Sequence, residues 1–167
     1  MSDLGADFTP NQQWGRGPTR GYAALAARFR PIFARIAEGA ARREVERILP
    51  FEQIGWLKEA GFGALRVPVA EGGHGASLEG LFELLIELAA PDSNLSQILR
   101  AHFGVVENVL ASSDAAHRAK WLARFASGDI FGGAFTERGT KAGIFATAIL
   151  PAGEGWTAKG TKYYSTG

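Results

Sequence analysis

Apolar residues recur at helical spacing from Tyr22 to Phe125, and strand-like runs appear only after Asp129. Segments of the two kinds never alternate, so a parallel sheet threaded through βαβ units is excluded. The expected class is α+β, a helical domain followed by the first strands of an antiparallel sheet. The pattern divides the chain into an arm over residues 1–20, a helical domain over 21–128 and an incomplete β-domain over 129–167. The arm is rich in Gly, Pro, Asn and Gln and reads as flexible.

From Tyr22 to Leu49, the positions of Leu25, Phe29, Ile32, Phe33, Ile36, Val45 and Ile48 predict one long amphipathic helix or two, with Pro31 able to kink or restart it. Pro50 opens a shorter helix to Ala60, which Gly61 ends. Residues 61–75 read as a loop with a brief extended piece at Leu65-Arg66-Val67. Ser77 is a natural N-cap for a helix over Leu78–Ala90 that should be buried on most sides. Asp92 or Ser93 caps the next helix, whose apolar face carries Leu95, Ile98, Leu99, Phe103, Val106, Val109 and Leu110. Ser113 or Asp114 caps a last helix through Phe125. Beyond it, Phe131–Glu137, Ile144–Leu150, Trp156–Ala158 and Lys162–Thr166 read as strands, the first and last as partners, with a tight turn at Gly153-Glu154-Gly155.

Composition narrows the function. Eighteen basic against seventeen acidic residues leave a net charge of +1, which offers no electrostatic reason to bind nucleic acid or an anionic membrane. A small-molecule partner fits better. There is no cysteine, so disulfides and thiolate chemistry are excluded, and His74, His102 and His117 show no metal-ligand spacing. The apolar stretch Leu81–Ala90 is interrupted by Glu83 and Glu87 and is about half of what spans a bilayer. No secretory leader pattern opens the chain, and a cytoplasmic protein is expected.

Several motifs carry candidate chemistry. Gly72-Gly73-His74-Gly75 could cradle an anion on backbone amides or could be a turn that needs positive φ. Ser77 lies in Gly75-Ala76-Ser77-Leu78-Glu79-Gly80, which misses the spacing and the leading strand of a nucleophile elbow. Glu79, Glu83 and Glu87 form a stripe that reads as a solvated or salt-bridged surface. His102 follows the apolar face of its helix, either as a hydrogen-bonded core residue or as an acid, base or stabilising group facing a cleft. The strands at Gly133–Glu137 and Tyr164–Thr166 are more informative as a pair. Phe135, Thr136, Tyr164, Ser165 and Thr166 together offer the flat apolar face and polar edge that a flavin ring requires.

Leu49-Pro50, Leu57–Gly63 with Leu65-Arg66-Val67-Pro68, the Gly72–Gly75 turn, Gly133-Ala134-Phe135-Thr136-Glu137 and Gly160-Thr161-Lys162-Tyr163-Tyr164-Ser165 together resemble the N-terminal half of the acyl-CoA dehydrogenase superfamily. The resemblance implies a helical domain, the opening of a middle antiparallel β-barrel, and a missing C-terminal helical bundle. Phe-Thr-Glu is followed here by Arg138-Gly139-Thr140-Lys141-Ala142-Gly143, where typical dehydrogenases show Pro and then Gly-Ser-Asp. With Tyr163-Tyr164-Ser165, this brings the chain closer to the FMN-dependent monooxygenases of that fold, the dibenzothiophene monooxygenase group. That branch implies reduced FMN from a separate flavin reductase, O2, and oxygenation of a small organic substrate. It implies flavin contacts from Gly133, Ala134, Phe135, Thr136, Tyr164, Ser165 and Thr166, with Ser165 near N5 and His102 as the active-site histidine of the helical domain. The intact form would be a homo-oligomer, and this piece alone would be catalytically incomplete. Two alternatives stand beside it: the N-terminal half of an FAD-dependent acyl-CoA dehydrogenase, and a non-catalytic assembly module.

Overall fold

The computed structural model describes residues 21–139, 141 and 143–166. The arm over residues 1–20, together with Thr140, Ala142 and Gly167, lies outside the described residues. Helices α1 (Tyr22–Ala37), α2 (Ala40–Glu46), α3 (Phe51–Glu59), α4 (Leu78–Ala89), α5 (Ser93–Ala111) and α6 (Ala115–Ala126) precede strands β1 (Gly133–Ala134), β2 (Ala148–Ala152), β3 (Gly155–Lys159) and β4 (Ser165–Thr166). Helices come first and antiparallel strands follow, as the periodicity requires.

Tyr22, Ala26, Phe29, Phe33 and Ile36 recur every three or four residues along α1 and are all buried. Pro31 sits on the exposed side inside this helix, which continues through it. The expected break therefore falls elsewhere, at Gly39, whose φ of 72° lies in the left-handed region. Phe62 is the centre of the core. It meets Phe29 edge-to-face at 5.0 Å, Phe33 at 5.8 Å and Phe103 at 6.2 Å, joining α1, α5 and the turn after α3. A second cluster of Ala64, Val67, Val106, Val109, Leu122 and Phe125 locks α6 against the C-terminal half of α5.

The segment between α3 and α4 is folded into two 3₁₀ turns, Phe62–Ala64 and Val69–Glu71, and the extended piece expected at Leu65–Val67 is not a strand. Its glycine run is a structural turn. Gly73, His74, Gly75 and Ala76 donate their N–H groups to Pro68, Ala64, Val67 and Leu65, so these amides are engaged within the protein and do not cradle an anion. A Cβ on Gly73 would lie 2.2 Å from the Val67 carbonyl oxygen, which only glycine avoids. Ser77 Oγ accepts the Gly80 N–H and caps α4, a conventional helix start with no nucleophile geometry.

The glutamate stripe of α4 is turned partly inward. Glu83 is buried, and Glu87 accepts hydrogen bonds from Tyr22 and from Arg30 at 2.7 Å, while Phe82 of this helix, expected to be buried on most sides, is 53% exposed. Burial and the bond to Glu87 push the Tyr22 hydroxyl up to about 12. Burial also pushes the Glu87 carboxyl upward, but the bonds from Arg30 and Tyr22 outweigh it and leave it below its ordinary value.

The strands are shorter than their sequence pattern suggests. β1 pairs antiparallel with β4 through Gly133 opposite Thr166 and Ala134 opposite Ser165. β2 pairs separately with β3, from Ala148 opposite Lys159 to Ala152 opposite Gly155. The run expected over Ile144–Leu150 enters the ladder four residues late and extends to Ala152. Two antiparallel pairs are present among the described residues, and they do not close into a barrel.

Arg43 ties the N-terminal helices to α5. Nearly all of its side chain and that of Asp92 are withdrawn from water, and Nη2 donates to Asp92 Oδ2 at 3.0 Å and to the Ile36 carbonyl at 2.6 Å. Nη1 donates to the Glu38 carbonyl at the end of α1. Asp92 Oδ1 meanwhile caps α5 by accepting the Asn94 N–H. Breaking a buried pair strands one charge, and Arg43→Met should lower stability by about 3 kcal/mol. Urea denaturation followed by circular dichroism checks this; a midpoint equal to that of the parent would remove Arg43 from this role.

Candidate functional site

The expected flavin-facing residues come together at the β1–β4 pair, which lies against α5. Helical spacing turns Asn94, Gln97, Ile98 and Ala101 to one side, as i, i+3, i+4 and i+7. Asn94, Gln97 and Ile98 face Ser165 and Thr166 across a cleft of about 370 Å³, closed at one end by Arg43, Arg47 and the Ile48-Leu49-Pro50 linker. Ala101 approaches the strand itself, 3.4 Å from where a Cβ on Gly133 would stand. A chain of sequence-remote segments thus converges on one opening.

Phe135 and Tyr164 lie outside this cleft. Phe135 is 77% exposed and meets Phe145 edge-to-face at 5.1 Å, while Tyr164 packs on Tyr163. The Thr136 carbonyl accepts the Tyr163 N–H at 2.8 Å, which continues the β1–β4 alignment beyond the two formal ladder pairs. Gly133, Ala134, Ser165 and Thr166 are therefore joined directly, and Phe135, Thr136 and Tyr164 extend the same pair of chains outward.

His102 does not face the cleft. One position beyond Ala101, it is rotated about 100° into the core and is completely buried. Nδ1 accepts the Phe131 N–H at 3.3 Å, which assigns the remaining ring proton to Nε2, and Nε2 donates to the Gly63 carbonyl at 2.8 Å. With both nitrogens engaged by backbone, the ring holds three segments together: α5, the turn after α3, and the chain entering β1. Of the two readings the sequence leaves open, a hydrogen-bonded core residue or an acid–base group facing a cleft, this burial fits the first. Phe103 and Phe125 pack edge-to-face on the ring, and a Cβ on Gly63 would approach Nε2 to 3.1 Å. His74, half-buried, makes a parallel contact through Nε2 to the Gly61 carbonyl at 3.2 Å.

The sequence names Glu137 only as the end of a motif and gives it no role, and the structure makes it the best-coordinated carboxylate of the described strand-bearing segment. It accepts the Ala146 N–H at 2.5 Å, the Thr147 N–H at 3.0 Å and Lys162 Nζ at 2.6 Å. Lys162 foremost, then the adjacent Thr147 hydroxyl and the two amides, hold this carboxyl down at about 2. That hydroxyl makes no hydrogen bond of ordinary geometry. The signal was present as Thr136-Glu137 followed by Lys162, but nothing local to either residue announces the pairing.

A second concave surface runs between α4 and α5, about 510 Å³, walled by Leu78, Phe82, Leu85, Ile86 and Phe103 with Arg100 at its rim. Among the described residues no three His, Asp or Glu side chains gather to hold a metal ion, and no helix is long and apolar enough to cross a membrane.

Burial lowers the His102 pKa against the smaller upward pull of its bond to Gly63. Burial likewise lowers His74, with the positive charge of Arg28 acting in the same direction. Both therefore fold in the neutral form. Their contribution to stability is complete above about pH 6.5 and is lost as pH falls from there toward the folded-state values. Urea midpoints should decline between about pH 7 and pH 5, with a smaller slope in the His74→Gln, His102→Gln double variant. An equal slope in the parent and the variant would refute it.

The known proteins that resemble this chain agree with its architecture. A family model described as acyl-CoA dehydrogenase, N-terminal domain, matches residues 23–129. The (2S)-methylsuccinyl-CoA dehydrogenase of Cereibacter sphaeroides is 28% identical over 124 residues, which is 72% of this chain and 23% of that protein. Among solved structures, the electron transferring flavoprotein of Acidaminococcus fermentans aligns with a TM-score of 0.66 at 20% identity, covering 97% of this chain and 41% of that one. At that identity the likeness speaks to fold alone. The chain spans less than half the length of these relatives. With more than half of its residues matched by the model, helices α1 to α6 included, the chain belongs to the acyl-CoA dehydrogenase N-terminal domain family.

Proposed function

We propose that this chain supplies the helical domain and first strands of a flavin-dependent oxidoreductase, of the dehydrogenase type that acts on a CoA thioester. The observation that carries the reading is the β1–β4 pair, which brings Ser165 and Thr166 to the cleft beside Asn94 and Gln97 of α5, with Thr166 on the face toward that helix. The donor set fits a flavin: hydroxyls for the polar edge of the ring, exposed backbone at Gly133 and Ala134 for close approach, and aromatic surface at Phe135 and Tyr164. When bound there, a flavin would supply a two-electron acceptor.

The protein's own contribution is placement and exclusion of water. Ser165 and Thr166 would orient the ring edge, and Ile98, Ile48 and Leu49 would supply the apolar boundary of the cleft. The groove between α4 and α5, walled by Leu78, Phe82, Leu85 and Ile86, offers the low-polarity lining that an acyl chain needs. Similarity to a CoA dehydrogenase supports this reading over the monooxygenase one, and FAD is the flavin that belongs to the proposal. Assembly into a homo-oligomer belongs to the same proposal.

One observation favours the monooxygenase alternative. Arg138 and Gly139 follow Phe-Thr-Glu, and Arg138 stacks over the Tyr163 ring at 4.2 Å, so a cation and two tyrosines occupy this end of the β-domain. In that reading a separate reductase delivers reduced FMN.

Titration of the full chain with FAD and with FMN, each oxidised and reduced under anaerobic conditions, tests the proposal. Preference for oxidised FAD, with thioester oxidation by an artificial electron acceptor, would support the dehydrogenase. Preference for reduced FMN would replace it with the monooxygenase. Ser165→Ala should weaken flavin binding about tenfold, the loss of one charge-free hydrogen bond. No binding of either flavin would overturn both and leave an assembly module.

A further inference from the structure

The β1–β4 ladder is too short to define its own alignment. Two residue pairs carry it, Gly133 with Thr166 and Ala134 with Ser165, and strands of that length are marginal without support. Glycine and alanine at β1 give no side-chain packing to choose a register. Yet the alignment extends well past the ladder. Stepping outward residue by residue places Phe135 opposite Tyr164, Thr136 opposite Tyr163 and Glu137 opposite Lys162. The second of these is realised by the Tyr163 N–H bond to the Thr136 carbonyl at 2.8 Å, and the third by the Glu137–Lys162 ion pair at 2.6 Å.

We propose that Glu137 and Lys162 are positioning residues, whose directly opposed ion pair sets the β1–β4 register and thereby aims Thr166, which stands opposite Gly133 on the face toward Ala101, at the ligand cleft. The inference rests on the flavin reading for what the cleft holds. Its geometric part stands on the pairing alone.

Three features suit the pair to this task. The Glu137 side chain is only 3% exposed and that of Lys162 26%, so the pair is shielded from the screening that weakens surface ion pairs. The carboxylate also binds the Ala146 and Thr147 amides, which fixes it to the segment leading into β2 and prevents it from following a sliding strand. Lys162 Nζ lies 4.5 Å over the Phe145 ring and 3.4 Å from the Phe135 carbonyl, so both ends of the bridge are anchored. A slip of one residue would move Lys162 roughly 3.3 Å along the strand and turn Thr166 to the face away from α5. The hydroxyl would then leave the cleft. The depressed Glu137 pKa agrees with a carboxylate held by these donors.

Lys162→Met, Glu137→Gln and the conservative Lys162→Arg, made in the full chain, separate register from mere folding. Helix content by circular dichroism should be unchanged in all three, because the pair lies outside the helical core. Amide hydrogen exchange at Tyr163, the donor to Thr136, should accelerate about tenfold in Lys162→Met and Glu137→Gln and return toward the parent rate in Lys162→Arg. Flavin affinity, measured by fluorescence, should fall and recover in parallel. Unchanged Tyr163 exchange in both disruptive variants would overturn the register role. Accelerated exchange with unchanged flavin affinity would overturn the aiming role. A parent chain that binds no flavin would instead overturn the flavin reading, and the exchange result would still decide the register.

Discussion

The His102 imidazole is the point on which the relation of helices to strands depends. It accepts the Phe131 N–H in a partly buried bond and donates to the Gly63 carbonyl in the interior, where no water can replace that bond. An unpaired polar group there costs more than the bond itself returns, so the three segments are held at one distance. Phe131 is two residues from Gly133, and the approach of β1 to Ala101 follows directly. A histidine suits the position because one ring presents an acceptor and a donor on opposite sides, matched to an N–H and a C=O.

Helical geometry then divides labour between neighbours. Ala101 and His102 are adjacent in sequence but about 100° apart around α5, so one meets the strand and the other enters the core. The same rotation assigns Asn94, Gln97 and Ile98 to the cleft and Leu95, Leu99 and Phe103 to the Phe62 cluster. The cleft is therefore a by-product of where the core lies: what α5 does not bury, it presents to β4. Arg43 and Asp92 hold the first turn of α5 in place, and with it the closed end of the cleft.

Much of this was legible in the sequence. The helices follow from apolar periodicity, which leaves one or two open over Tyr22–Leu49, and of the offered caps Ser77, Asp92 and Asp114 accept the amide bonds. The partnership of Gly133–Glu137 with Tyr164–Thr166 was also visible in composition. Less was readable where long-range contact overrides local preference. Pro31 continues a helix because five buried residues of α1 outweigh its missing bond, and Glu87 enters a half-covered interface because Tyr22 and Arg30 meet it there. The pairings of Arg43 with Asp92 and of Glu137 with Lys162 join residues 49 and 25 positions apart, and no spacing rule reaches that far.

By itself, the amino-acid sequence determined the class, the order of helices before strands, the capped starts of α4, α5 and α6, and which residue types could serve a flavin. Those are properties of short windows, set by periodicity and by the chemistry of single side chains. Only the tertiary structure decided that His102 is a buried bridge, that Ala101 and Gln97 face the strand, and that the Gly72–Gly75 amides are engaged inside the protein. Each depends on which way a side chain or amide points once remote segments pack. That direction is settled by the exclusion of water from contacts that no local window contains.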